Sequence, residues 1–203
     1  MILYGRYLSP FVRRVGCWLA LQGRAFELRE LAATDPNDLP KLQAVNPVAR
    51  VPALVLEDGA VLIECFAICD WLDESAPEKR LVPEGGIARR DCLQRIAMAA
   101  ATTDKAVALV YDKNRRPEEF HYKPWQERLV SQVEGGLGQI EAGLPEDGFL
   151  GGAAPDGSDL ATVALHDFLT VTNPFILERG YPRLAAHAAR ANALPEISAT
   201  KPG

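Results

Sequence analysis

A serine–proline pair, Ser9-Pro10, closes the apolar opening run and constrains the fold more tightly than any other local feature of this chain. Met1-Ile2-Leu3-Tyr4 reads as a short buried strand, Gly5 to Leu8 as a turn, and Pro10 to Leu21 as an amphipathic helix. Proline is favoured at the first helical position because its missing N–H would have no intrahelical partner there, and a serine oxygen just before it can accept from free amides. Ser9 is therefore the predicted N-cap. Capping alone, worth about 1 kcal/mol, accounts for the residue. The alternative is chemical: a hydroxyl at a helix N-terminus, beside the partial positive charge of unpaired N–H groups, can stabilise an anion such as a thiolate.

A second signal lies in Asn46-Pro47-Val48-Ala49-Arg50-Val51-Pro52-Ala53-Leu54, followed by Asp58-Gly59 and the apolar run Val61-Leu62-Ile63. Asp-Gly between two apolar runs marks a tight antiparallel hairpin. Proline cannot donate to a ladder, so Pro52 belongs at a strand start or edge, and a cis bond there would make a deliberate turn. The expectation is an exposed strand edge at Val51, whose free N–H and C=O would pair with an extended, peptide-like ligand. An ordinary loop-to-strand proline is the alternative. After the hairpin, Glu64 to Leu72 fits a helix with Phe66, Ile68, Cys69, Trp71 and Leu72 on a wide buried face. Glu64 and Cys65 fall at its N-terminus, where free amides suit a ligand carboxylate. Glu64 would bind a ligand ammonium or simply favour the positive helix end.

Beyond residue 76 the texture changes. Pro77 to Gly86 is a proline- and glycine-marked polar connector, which divides the chain into a domain over 1–76, a linker over 77–86 and a helical domain over 87–203. A long helix is predicted from Ile87 to Asp112, through Leu93, Ile96, Ala97, Ala100, Val107 and Val110. Another runs from Pro117 or Pro124 to Leu144, carrying Leu129, Val133, Leu137 and Ile140. Tyr111, Arg115, Arg116, His121, Tyr122 and Trp125 cluster around the connection between them, as a solvated loop with aromatic anchors or as the wall of a ligand pocket. Downstream, Asp159 is the predicted N-cap of a helix beginning Leu160-Ala161-Thr162, and Pro182 opens another helix containing His187, read as a structural or surface residue rather than a catalytic base.

Composition bounds the function. The 203 residues, 48% of them hydrophobic, suffice for a core in each of two small domains, and a net charge of −5 disfavours nucleic acid as a partner. No apolar run approaches the roughly 18–20 residues that span a bilayer, and the N-terminus lacks the pattern of a signal peptide, so the expectation is a cytoplasmic protein without a membrane partner. Cys17, Cys65, Cys69 and Cys92 form no CxxC pair and read as reduced, mostly buried thiols. Cys65 and Cys69 stand one turn apart, but the three histidines are far off in sequence, and no metal is expected. Cys65 is the exception, because a helix N-terminus can depress a thiol pKa and make it reactive.

In order and spacing, Ser9 to Val15, Asn46 to Leu54 and Glu64 to Ile68 resemble the N-terminal domain of cytosolic glutathione transferases, in their bacterial-type, serine-bearing form. The resemblance implies an α/β thioredoxin-like domain with Pro52 cis, followed by an all-α domain, and a homodimer. It also implies glutathione as co-substrate: Ser9 on its sulfur, Val51 and Pro52 at its cysteinyl unit, Glu64 and Cys65 at its γ-glutamyl end. Tyr111, Arg115 and Tyr122 would then line the subsite of a small electrophile. Two positions depart from the family pattern. Cys65 replaces the usual serine, and a thiol is a weaker donor than a hydroxyl, although the backbone N–H remains. The family capping box is Ser or Thr, two residues, then Asp, and Asp159 and Thr162 are read onto those places. Tyr4 and Tyr7 rival Ser9 as activator of the thiol, and the absence of cysteine at position 9 argues against a thiol-transferring branch. Two alternatives share the fold: a non-catalytic binding or assembly module, and a glutathione-dependent isomerase or dehalogenase.

Overall fold

The strand, turn and helix predicted around Ser9-Pro10 are present as β1 (Ile2–Tyr4) and α1 (Pro10–Leu21) in the computed structural model, which describes residues 1–202. Next come β2 (Glu27–Arg29) and α2 (Leu39–Val45), then the hairpin strands β3 (Ala53–Val55) and β4 (Val61–Ile63), and α3 (Cys65–Glu74). The sheet order is β2-β1-β3-β4, with β1 and β2 parallel and the other pairs antiparallel. Successive side chains of a strand point to opposite faces, and here the two faces have different covers. Tyr4 lies opposite Ala53 and packs with Leu31 and Leu42 on the α2 side, whereas Leu3 lies opposite Leu54 on the face covered by α1 and α3.

Asp73 ties this second layer together. Its carboxylate accepts from Trp18 Nε1 at 2.8 Å and Gln22 Nε2 at 3.0 Å, both on α1, and from the backbone N–H groups of Leu81 at 3.0 Å and Val82 at 2.8 Å. A buried carboxylate with four donors is a strong local clamp.

Two compact units result: Met1–Val82 together with the chain's end from Asn192, and Pro83–Ala191. The boundary at Val82 lies inside the predicted connector, but the last residues do not stay with the helical domain as expected. Helix α9 (Pro195–Ser198) packs on α1, Thr200 Oγ1 lies 2.9 Å from Cys17 Sγ, and Arg13 Nη2 donates to Asn192 Oδ1 at 2.8 Å. Arg13 and Cys17 are fully buried one turn apart on α1, and this returning segment supplies polar partners that their burial requires.

The second unit is helical, with α4 (Gly86–Arg115), α5 (Lys123–Gly143), α6 (Gly157–Thr172), α7 (Pro174–Leu177) and α8 (Pro182–Asn192). Pro124 rather than Pro117 opens α5. The buried stripe of α4 runs through Cys92, Ile96, Ala99, Thr103, Ala106 and Leu109, whereas the expected Ala97 is exposed. Small residues occupy that stripe because α4 packs against both α5 and α6. At one crossing, a side chain on Gly136 would come within 2.0 Å of Thr102 Oγ1. The start of α6 corrects the expected cap: Asp156 is the N-cap and Asp159 the third helical residue, in a reciprocal capping box. Asp159 therefore fills the acidic place of the family pattern. Thr162 instead turns its hydroxyl back to Ser158 O at 2.8 Å. His187, fully buried, sets Nε2 3.2 Å from Asp159 Oδ1, consistent with a structural histidine.

Candidate functional site

Ser9 adopts extended backbone (φ −69°, ψ 119°) and caps α1 by accepting from Val12 N at 3.4 Å. That distance is long for such a bond, and it engages an oxygen lone pair while the hydroxyl proton stays available to donate. The capping and chemical readings of Ser9 are thus compatible. The two rival tyrosines are differently placed. Tyr4 belongs to the α2 face of the sheet, and its hydroxyl accepts from Arg29 Nη1 at 2.9 Å. Tyr7 lies against Gly16 of α1, so close that a methyl there would meet its ring at 2.6 Å. Burial, with added repulsion from Cys17 and Glu30, pushes the Tyr7 phenol up from its ordinary value.

The Val51–Pro52 peptide bond is cis. The sheet order overturns the expected exposed edge, because β3 is an interior strand paired on both sides. Val51 is instead ahead of the ladder, which begins at Ala53, and its backbone is off the strand end rather than along an edge. Asn46 holds the approach: its side chain donates to Arg50 O at 2.8 Å and accepts from Val48 N at 3.1 Å. The sequence signal for this staple was Asn46-Pro47, an amide side chain able to bond backbone two residues on. Gly5 joins this loop to α1. It has φ +133°, and a Cβ there would stand 2.4 Å from Val12 Cγ2 and 3.1 Å from Val51 Cβ.

Glu64 occupies the N-cap position of α3 with φ +66°, a conformation unusual for a residue with a side chain. Such strain costs about 1–3 kcal/mol and clusters at ligand clamps. Its carboxylate pairs with Arg50 Nη1 at 3.2 Å, an exposed contact that sequence reasoning missed. Cys65 follows, nearly buried, with Sγ 3.6 Å from Phe11 O. Hydrogen bonding from Cys69 lowers the Cys65 thiol to about 7, with help from the Arg14 charge and against burial and Glu64. Cys69 moves the other way, raised by burial and by Cys65. Phe66, expected in the buried face, is exposed.

Within the first unit, then, three segments come together: Val12 and Val51 both lie against Gly5, Arg50 reaches Glu64, and Cys65 reaches Phe11. All five residues assigned to glutathione by resemblance fall on these three segments. Tyr111, Arg115 and Tyr122 belong to the second unit. Tyr111 and Arg115 stand one turn apart on α4 and Tyr122 precedes α5, all three exposed. Among the described residues, no helix is long and apolar enough to cross a membrane, and no cluster of three or more His, Cys, Asp or Glu could hold a metal.

Residues 3–80 match the glutathione S-transferase N-terminal domain and residues 123–190 the C-terminal domain, together more than half of the chain. A probable glutathione S-transferase of rice (Oryza sativa subsp. japonica) is 28% identical over 97% of this chain and 87% of its own length. The maleylacetoacetate isomerase of Pseudomonas aeruginosa is 27% identical over 80% of this chain and 78% of its own. A nematode relative, a probable maleylacetoacetate isomerase of Caenorhabditis elegans, is 34% identical, but the match spans 41% of that protein. Among solved structures, a glutathione S-transferase from Methylobacterium radiotolerans in complex with glutathione sulfonate superposes with a TM-score of 0.90 at 26% identity, covering 99% of this chain and 94% of that one. The chain belongs to the glutathione S-transferase family and is a glutathione transferase.

Proposed function

We propose that this chain activates glutathione as its thiolate for attack on a small electrophile. The observation that carries the reading is the convergence of the α1 start, the cis-proline turn and the α3 start within one unit. The donor set fits the tripeptide. Val51 has backbone beyond the ladder for the cysteinyl unit, and the α3 N-terminus with Cys65 N–H meets the γ-glutamyl carboxylate. Glu64, held at positive φ, meets the γ-glutamyl ammonium.

Ser9 is the proposed activator. Its O–H, helped by the free amides of α1, donates to the glutathione sulfur and favours the ionised over the neutral form. No covalent enzyme intermediate is involved. A free thiol with a pKa of about 8.5 is a few per cent ionised at neutral pH, and a depression of about two units makes it mostly thiolate. Tyr111, Arg115 and Tyr122 are the proposed contacts of the electrophile, and the proposal includes a cytoplasmic homodimer.

The test is a glutathione titration followed by thiolate ultraviolet absorbance between about pH 5 and 9. A saturable signal with an apparent pKa well below that of free glutathione supports the reading. Folded protein that gives no signal at high glutathione refutes it. The Pseudomonas aeruginosa relative favours a second reading, a glutathione-dependent isomerase, in which glutathione is regenerated at each turnover. Unchanged total glutathione during turnover would select it.

A further inference from the structure

Ala49 and Glu64 are the two residues other than glycine that hold positive φ among the described residues, at +56° and +66°. They lie in different segments, yet one ion pair links them: Arg50, directly after Ala49, sets Nη1 3.2 Å from Glu64 Oε1. A residue with a side chain is strained in this conformation, and the strain persists only where surrounding contacts over-determine it. Asn46 supplies those contacts on one side. Its amide donates to Arg50 O at 2.8 Å, its Oδ1 accepts from Val48 N at 3.1 Å, and Asn46 O accepts from Ala49 N at 2.7 Å. On the other side, Glu64 O accepts from Ile68 N at 3.0 Å, which ties the Glu64 backbone to the first turn of α3. Two anchored and strained main chains thus present their side chains to each other.

Folding stability does not account for the pair. The side chains of Arg50 and Glu64 are 58% and 59% exposed. Ion pairs at that exposure add little, because solvent and salt screen them and two long side chains must be ordered. Strained backbone at both ends of a weak bond is instead the pattern found at ligand clamps. The contact with Arg50 is made at Oε1, and Oε2 accepts no hydrogen bond among the described residues. One carboxylate oxygen is held while the other stays open.

We propose that Arg50 is a positioning residue for glutathione: by holding Glu64 Oε1 it fixes the carboxylate so that Oε2 receives the γ-glutamyl ammonium. The proposal rests on the placement of that ammonium on Glu64. Arg50 acts through Glu64 and not on the ligand. Without Arg50 the ligand itself must order the Glu64 side chain, and immobilising one rotamer-rich side chain on binding lowers affinity about three- to ten-fold. Repulsion between the guanidinium and the ammonium works the other way, but it acts across an exposed site where solvent and salt screen it, so the ordering effect prevails.

Calorimetry of the full chain with S-hexylglutathione tests this, since the apolar tail adds affinity without altering the γ-glutamyl end, and urea unfolding checks that each variant is folded. Arg50→Met removes the charge and should weaken binding about three- to ten-fold, whereas Arg50→Lys should stay within about two-fold of wild type. In a Glu64→Ala background Arg50→Met should change affinity by less than about two-fold, because the carboxylate it acts through is gone. S-hexyl-γ-glutamylcysteine, which lacks the glycyl carboxylate, should lose as much as S-hexylglutathione does on Arg50→Met. A loss of the same size in the Glu64→Ala background overturns the proposal, since Arg50 then acts on the loop at Val51. A loss that vanishes without the glycyl unit also overturns it, since Arg50 then meets that carboxylate directly, and so does unchanged or tighter binding by Arg50→Met. The placement of the ammonium is read separately. Glu64→Ala that binds as well as wild type removes that placement and the proposal with it, whereas weakened binding by Glu64→Ala beside an unaffected Arg50→Met keeps the placement and overturns the proposal alone.

Discussion

Replacing Ser9 by alanine removes one oxygen with two separable roles, and the structure sets a different size for each. As a cap, Ser9 accepts from Val12 N at 3.4 Å, a long bond, so its loss belongs at the low end of the N-cap range, about 0.5–1 kcal/mol. As a donor to a thiolate it makes a hydrogen bond to a charged group, worth about 1.5–3 kcal/mol. At 1.36 kcal/mol per unit, that corresponds to a rise of about 1–2 units in the pKa of bound glutathione. Below the wild-type bound pKa, thiolate should fall about ten-fold or more while the fold barely weakens. Urea unfolding gives the first quantity, and thiolate absorbance of the glutathione complex against pH gives the second. A bound pKa unchanged within about 0.3 unit, in a variant showing the small stability loss, refutes the assignment. The role then passes to Tyr7 or to the α1 amides alone, and Tyr7→Phe decides between them.

The same framework yields further outcomes. Asp73→Ala strands four donors in the first unit and should cost about 3–5 kcal/mol, whereas Asp73→Asn keeps the Oδ1 that serves three of them and should cost about 2. Trp fluorescence against urea measures both. Glu64→Gly relieves the positive-φ strain and should stabilise the fold by about 1 kcal/mol, yet lower glutathione affinity in calorimetry. Burial alone would raise the Asp159 carboxyl, but hydrogen bonds from His187, Asp156 N and Leu150 N outweigh it and hold it below the usual carboxylate value. A depressed folded pKa stabilises fully above the unfolded value of about 3.9 and is lost as pH falls through the folded pKa. Asp159→Asn should therefore cost about 2 kcal/mol at neutral pH, with the deficit shrinking below about pH 4, as read by unfolding at each pH.

Local grammar carried far in this chain. Ser9-Pro10 placed a helix start to the residue, Asp58-Gly59 placed the hairpin, and Glu64-Cys65 placed the start of α3. Where the rules compete locally, register slipped. Asp156 and Asp159 are both good caps in the same short stretch, and only the donors of Leu150 and Gly151, brought in from a separate turn, make Asp159 the third helical residue. Along α4 the alanine-rich pattern suits more than one face, and packing on two sides selected the stripe through Ala99 and Thr103.

By itself the sequence determined the β1–α1 turn, the β3–β4 hairpin, the start of α3, the helices of the second half and the three segments proposed to hold glutathione, because caps, turns and periodicity act within a few residues, whereas β2 and α2 carried no such signal. The tertiary structure decided what those segments become. It made β3 an interior strand, so that the Val51 backbone is free only by lying beyond the ladder. It returned the chain's end to α1 to satisfy Arg13 and Cys17, and it brought Arg50 to Glu64. Partners that differ by tens of residues leave no periodic trace. Their pairing is settled by which buried polar and apolar groups need one another once the layers have packed.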